Sequence, residues 1–290
     1  MTKKGLTLSI IMRAESANYG EGFGNISVLK KMSRGDHQQY TYISRQALRY
    51  SLIQQLGWDT TPVEDNGVVQ FAAKAGIDEY PEIDLFGYMK TTGKGDDGSA
   101  GGSNTRNAVA RLSNAIALEP FRGDLDYLNN MGLARRADLN NAIAQLEIHA
   151  SYYAYTLTID LDRVGEDGDI HLSAEEKAKR VCTLLEGIQF LYRDIKGRRE
   201  SLAPLFVIGG VYDRKNPYFA NGLHVENNKV SVRGLKETVE SCNDTQKNTL
   251  CGVHSDTFAN EEEIRKELDA TTIEAFFTTL KGKVNGCYTN

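Results

Sequence analysis

One segment constrains the fold more than any other. Tyr152-Tyr153-Ala154-Tyr155-Thr156-Leu157-Thr158-Ile159-Asp160-Leu161 is dense in aromatic and β-branched residues, the composition that suits a pleated, half-buried strand. Alternation puts Tyr153 and Tyr155 on one face and Tyr152 on the other. These rings are placed either to pack a sheet or to stack bases, and the split between faces favours packing. Leu6 to Ala14 reads as an earlier strand, with near-alternating apolar residues. Leu112 to Leu118 reads as another, and Leu205-Phe206-Val207-Ile208 as a short continuous one closed by Gly209-Gly210.

Two helices fit between these strands. Ser44 is an N-cap, and Leu48, Leu52, Ile53 and Leu56 make an apolar stripe that ends at Gly57. Ser173 opens the second through the box-like Ser173-Ala174-Glu175-Glu176, and its stripe is Val181, Leu184, Leu185, Ile188, Leu191 and Ile195. The resulting order is strand, helix, strand, strand, helix, strand. The expected class is therefore α+β, a ferredoxin-like βαββαβ unit of the kind RNA-recognition domains share.

The remaining segments interrupt that unit. Ser16 to Asn25 is a loop in which Gly20, Gly22 and Gly24 alternate, Ile26 to Lys31 a short strand, and Ser33-Arg34-Gly35-Asp36 a turn. Residues 59–111 are acidic and then Gly-rich, with a flexible loop from Thr91 to Asn104. Phe121 to Ile148 is an extended excursion of weak periodicity. From about Leu235 the pattern is mostly helical, best over Ile264 to Leu280.

Composition narrows the function classes. No apolar run reaches the roughly 18 residues of a membrane span, and the start lacks the apolar core of a signal peptide. Cys182, Cys242, Cys251 and Cys287 show no disulfide rhythm. A soluble, cytoplasmic protein with no membrane partner is expected. The net charge is −5 and the pI about 5.7, which speaks against a nucleic-acid binder. The charge is segregated, however. Residues 1–58 hold eight Lys/Arg against three Asp/Glu, and residues 59–89 hold one against seven. A basic face on an acidic body is compatible with a groove for a polyanion.

No catalytic signature stands out along the chain. None of the five His residues lies in a metalloprotease or hydrolase motif. Cys242, Cys251 and His254 have no standard zinc spacing. A calcium loop over Asp160 to Glu176 would have Arg163 and Ala174 where ligands belong, so a turn is expected. Asp36 alone makes a poor metal site. No cofactor, metal or catalytic residue is expected. What remains is phosphate chemistry at Ser44, Arg45, Gln46 and Arg49. A helix start offers free N–H groups, and Arg45 and Arg49, four apart, share one face with planar forks for phosphate oxygens.

Ser9-Ile10-Ile11-Met12-Arg13-Ala14-Glu15-Ser16-Ala17-Asn18-Tyr19-Gly20, Gly24-Asn25 and Tyr42-Ile43-Ser44-Arg45-Gln46-Ala47-Leu48-Arg49 resemble the DevR family. These are crRNA-binding backbone subunits of type I-B CRISPR Cascade complexes. Ile148 to Tyr153 and Pro204 to Gly210 extend the resemblance, which covers roughly 1–215. It implies an RRM-like palm with fingers and thumb insertions. The palm would comprise 1–58, 112–124 and 149–235, the fingers 59–111, the thumb 125–148, and a C-terminal helical extension 236–290. Copies would stack head to tail along the guide RNA beside other Cascade subunits, and the guide would pair with target DNA. The implied palm contacts are Arg13, Asn25, Ser44, Arg45, Gln46 and Arg49. Met131 and Leu133 would be thumb wedges, and Arg135 and Arg136 thumb phosphate contacts. Lys90 and Arg106 would touch nucleic acid beside the flexible loop. Two other readings stay open: a metal-dependent RNA-cleaving relative that uses Asp36, and an autoregulatory adaptor.

Overall fold

The structure, a computed structural model, describes residues 4–65, 67–91 and 102–289. Gly5–Ala14 (β1) opens the chain's main sheet. There follow Lys31–Ser33 (β2), Gln39–Ile43 (β3), the helix Arg45–Leu56 (α1), Ala110–Leu112 (β4), Ala115–Ala117 (β5), Ser151–Asp160 (β6), the helix Ala174–Gln189 (α2), Phe206–Tyr212 (β7), Thr249–Val253 (β8) and the helix Ile273–Thr289 (α3). The eight strands lie in the order β8–β7–β1–β6–β5–β3–β2, with β4 also on β6. Every pairing is antiparallel. The class is mixed α+β.

The long strand of the sequence is β6. It runs against β1 over ten pairs, from Gly5↔Asp160 to Ala14↔Ser151. Both faces of β1 are covered, and Arg13 is its one exposed residue. Leu6, Leu8, Ile10 and Met12 join Tyr153, Tyr155 and Leu157 of β6 beneath the three helices. Ile11 turns to the other face, packed with Phe206, Ile208, Phe258 and Ile264. Tyr152 also lies there, against Phe258 with its hydroxyl on Asn228. The three tyrosines are thus packing residues.

Local chemistry sets the helix ends. Ser44 Oγ accepts the Ala47 N–H at 3.2 Å, and Gly57 closes α1 in the left-handed conformation. Ser173 Oγ accepts the Glu176 N–H at 3.2 Å to start α2. Phe276 and Phe277 of α3 are fully buried against the sheet, each contributing about 1.5–3 kcal/mol.

Several expectations need correction. The Gly209-Gly210 pair does not end β7, which runs on to Tyr212. A Cβ at Gly209 would stand 2.0 Å from Thr7 O, and one at Gly210 2.1 Å from Asn248 O. The glycines admit neighbouring backbone instead of breaking the strand. Leu112 to Leu118 is two strands, because Ser113 Oγ replaces a ladder carbonyl by accepting the Thr156 N–H at 2.9 Å. The helical tail contains the edge strand β8. The glycine loop and the weakly periodic excursion form one sheet, ordered Asp124–Asn129, Ile143–Ile148, Ile26–Leu29, Tyr19–Phe23. Lys31 and Glu147, 2.6 Å apart, tie it to β2. Most of the proposed flexible loop, residues 92–101, lies outside the described residues.

The insertion is fastened by buried charge. Asp84, fully buried on the short helix Pro81–Phe86, accepts from Arg106 Nη2 at 2.6 Å, from Arg180 Nη1 of α2 at 2.9 Å and from the Gly165 N–H at 3.0 Å. Arg106 also donates to the carbonyls of Asp84 and Arg163, and Arg180 to that of Asp78. Breaking such a cluster from one side leaves uncompensated charge. Asp84→Ala is expected to cost about 3–5 kcal/mol, measured from urea unfolding. A loss below about 1 kcal/mol, the range of exposed pairs, would contradict this account.

His149 joins the two sheets. Its Nδ1 lies 2.7 Å from Thr41 Oγ1, which lies 2.7 Å from Tyr153 Oη. Burial holds its pKa below the ordinary 6.5, against the opposing pull of Glu119 and Asp124. The unfolded chain therefore binds the proton at higher pH than the folded one. Stability is full above about pH 6.5 and is lost as pH falls through the lowered folded value. His149→Gln should reduce the drop in urea midpoint on acidification, and an unchanged drop would rule His149 out as its source.

Candidate nucleic-acid interface

The start of α1 is anchored from both sides. Asn18 Oδ1 accepts from Ser44 Oγ at 2.7 Å, and Asn114 Oδ1 accepts the Arg45 N–H at 2.9 Å. Ala47 N–H is taken by Ser44 itself. Of these first N–H groups only that of Gln46 lacks a protein partner among the described residues. The expected cradle of backbone N–H groups is thus largely spent inside the protein. The guanidinium groups are not. Arg45 and Arg49 are exposed and, among the described residues, form no ion pair. Arg49 lies over the Phe86 ring at 5.9 Å.

Two grooves meet at Arg45. One, of about 460 Å³, has Arg45, Gln46, Arg49 and Arg111 around an apolar floor of Phe86, Ala110 and Leu112. The other, of about 530 Å³, runs over the sheet between Arg34, Arg45, Asn114, Ile116 and Thr156 and the segment that carries Asn221 and His224. Arg34 and Arg111 were not anticipated from the sequence. Arg34 looked like turn chemistry, and Arg111 fell at the edge of the insertion. Arg34 lies over the Tyr40 ring at 4.3 Å. Arg111 is paired with Asp160 at 2.8 Å. Asp160 also faces Arg163 and Lys215, at 3.8 and 3.7 Å. Burial alone would raise the Asp160 carboxyl, but the hydrogen bond and charge of Arg111, with Lys215 and Arg163 behind, hold it below its usual range. Lys215 also pairs with Asp162, so two carboxylates answer three cations and the groove edge keeps one net positive charge.

The other expected residues scatter. Arg13 is exposed on the sheet face that bears Tyr152, opposite the helices. Asn25 is exposed in the turn beside the second sheet, where its carbonyl accepts the Gln145 N–H at 3.0 Å. Met131, Leu133, Arg135 and Arg136 are all exposed on the short helix Met131–Arg136, which joins the strands Asp124–Asn129 and Ile143–Ile148. Met131 and Leu133 are 41% and 55% exposed. Lys90 and Arg106 differ from expectation. Both are buried, Arg106 on Asp84 and Lys90 on the Ala75 carbonyl, so neither has a charge turned to the surface. Desolvation lowers the Lys90 pKa.

Asp36 caps its own turn, accepting from Gln38 N–H at 3.0 Å and from the Tyr40 hydroxyl. The Tyr40 bond is the main cause of its lowered pKa. Among the described residues, no three His, Cys, Asp or Glu side chains converge to hold a metal ion. No helix among them is long and apolar enough to cross a membrane.

Comparisons with known proteins accord with this picture. The family model described as "CRISPR-associated negative auto-regulator DevR/Csa2" matches residues 6–233. A "CRISPR-associated protein Cas7/Cst2/DevR" of Myxococcus xanthus (strain DK1622) is 25% identical over 159 residues, covering 49% of this chain and 52% of that protein's length. Among solved structures, a chain of a "CRISPR RNA-guided surveillance complex, pre-nicking" superposes with a TM-score of 0.60 at 11% identity, covering 95% of this chain and all of that one. A chain of a "CRISPR RNA-guided surveillance complex" gives 0.58 at 15% identity, covering 96% and 99%. The likeness in fold thus spans nearly the whole molecule, and with the family match across most of its length, the chain belongs to the DevR/Csa2 family of CRISPR-associated proteins.

Proposed function

We propose that this protein is a non-catalytic backbone subunit of a type I Cascade complex, of the I-B kind, that grips guide RNA and presents it for pairing with target DNA. The observation that carries the reading is the pair Arg45 and Arg49, two exposed guanidinium groups without ion-pair partners among the described residues, on a helix whose start is anchored at both sides. Such a pair holds phosphates without reading sequence. The strands β7–β1–β6–β5 with α1 and α2 act as a ferredoxin-like, RRM-like palm, residues 59–111 as fingers and 125–148 as a thumb. Ser44 sets the helix start, Gln46 supplies the N–H of that start left unpaired among the described residues, and Arg13 and Asn25 extend the contact. Met131 and Leu133 are wedges against the guide, flanked by Arg135 and Arg136. Copies arranged head to tail, with other Cascade subunits, would repeat the clamp along the RNA.

The acidic net charge is compatible with this role, because Arg34, Arg45, Arg49 and Arg111 line two adjoining grooves while residues 59–89 hold seven Asp/Glu against one Lys. Arg45→Ala with Arg49→Ala should weaken binding of single-stranded RNA and reduce the slope of log affinity against log salt by about 1.4, roughly 0.7 for each phosphate no longer neutralised. A salt titration that leaves both affinity and slope unchanged would remove the palm assignment. RNA of uniform length copurifying with the protein from its host supports a guide-bound subunit over an autoregulatory adaptor.

A further inference from the structure

The two grooves that meet at Arg45 differ in chemistry. The first is a cationic cleft: Arg45, Arg49 and Arg111 stand over an apolar floor. It has charge for phosphates but little that distinguishes one sugar from another. The second is mostly neutral. Arg34 and Arg45 stand at its edge, Ile116 and Ala154 form an apolar floor, and Asn114, Thr156, Asn221 and His224 surround the space. Asn114 uses its Oδ1 on Arg45 N–H, which leaves its amide N–H groups. Among the described residues, the Asn114 amide nitrogen, the Thr156 hydroxyl, the Asn221 amide and the His224 ring have no hydrogen-bond partner in the protein. Thr156 and Ala154 share one sheet face by alternation, as do Asn114 and Ile116 on the neighbouring stretch.

Each of these groups suits a hydroxyl. An amide both donates and accepts, a threonine hydroxyl does the same, and a neutral imidazole has one nitrogen of each kind. A ribose 2′-hydroxyl is likewise donor and acceptor, and it is what separates RNA from DNA at a given position. A strand held by phosphate at Arg45 has its sugars within a few bond lengths of that phosphate, on whichever side the chain continues. The volume of about 530 Å³ is that of an ordinary ligand cleft.

We propose that this second groove reads the ribose 2′-hydroxyls of the bound strand, so that selection of RNA over DNA is made chemically at Asn114, Thr156, Asn221 and His224. The inference rests on the guide-binding reading for its ligand and adds the element of recognition that charge alone does not supply. Arg34 and Arg111 become the outer posts of one track, with Arg45 at the ridge between its two halves.

The test uses the full chain and two probes of equal length, labelled oligouridylate and oligodeoxyuridylate, which differ only in the 2′-hydroxyl. Affinities are measured at one salt concentration. The wild type should prefer the ribose strand. Asn221→Ala with His224→Ala, both exposed side chains, should weaken the ribose strand roughly tenfold and leave the deoxyribose strand unchanged, so that the preference collapses. Thr156→Val, which keeps the side-chain shape and removes only the hydroxyl, should move the ratio in the same direction. The proposal is overturned if the wild type shows no preference, or if the ratio survives both variants, whether because the two affinities fall together or because neither changes. Arg45→Ala with Arg49→Ala separates the two levels: it should weaken both strands alike. Full binding by that variant defeats the guide-binding reading, whereas a persistent ratio in the groove variants defeats only the sugar readout.

Discussion

The ladder between β1 and β6 governs the rest of the molecule. Its ten pairs join segments about 150 residues apart in the chain, and closing so long a loop is worthwhile because β1 is buried on both faces, while β6 buries one face and half-buries the other. Once β6 is placed, the short strands β4 and β5 have one register on it. Between them, Ser113 Oγ sits on the Thr156 N–H and Asn114 Oδ1 on the Arg45 N–H. Two hydrogen bonds to adjacent side chains therefore link the buried ladder to the cationic helix start. The proposed clamp is built on the core and not on a free loop.

The electrostatics divide along the same lines. The acidic insertion spends one carboxylate, Asp84, on two buried arginines. The basic hairpin Tyr192–Ile195 with Arg198–Ser201 spends its cations on Glu200, Glu15 and Asp194. Arg45 and Arg49 stand outside these networks. Local pairing, more than net charge, decides which cations are left for a ligand.

Much of this was legible in the sequence. The two capped helices, the strands β1, β6 and β7 and the alternation of the three tyrosines follow from short-range chemistry, which a sequence displays directly. The missed strands β3 and β8 are short, and tertiary pairing, not propensity, makes them strands. The second sheet escaped notice because its strand Asp124–Asn129 is exposed throughout and Ile143–Ile148 buries only Leu146, too little to give a period, and its parallel join of Ile143–Ile148 to Ile26–Leu29 spans distant segments. Arg106 looks in sequence like any loop arginine, since the partner that buries it, Asp84, lies 22 residues away. The same blindness hid Arg34 and Arg111, whose membership of the grooves depends on α1 and β6.

The Asp84 cluster ties two parts of the chain into a shared history. Arg180 belongs to the main helix layer, yet the carboxylate that answers it inside the protein comes from the insertion. A descendant that trimmed the insertion would leave Arg180 only the partly exposed Glu176 of its own helix, 3.0 Å away, unless an apolar residue replaced Arg180 at the same time. The two features are accordingly expected to be inherited or lost together. In relatives with a short insertion, an uncharged residue at the position of Arg180 would be the trace of that joint loss.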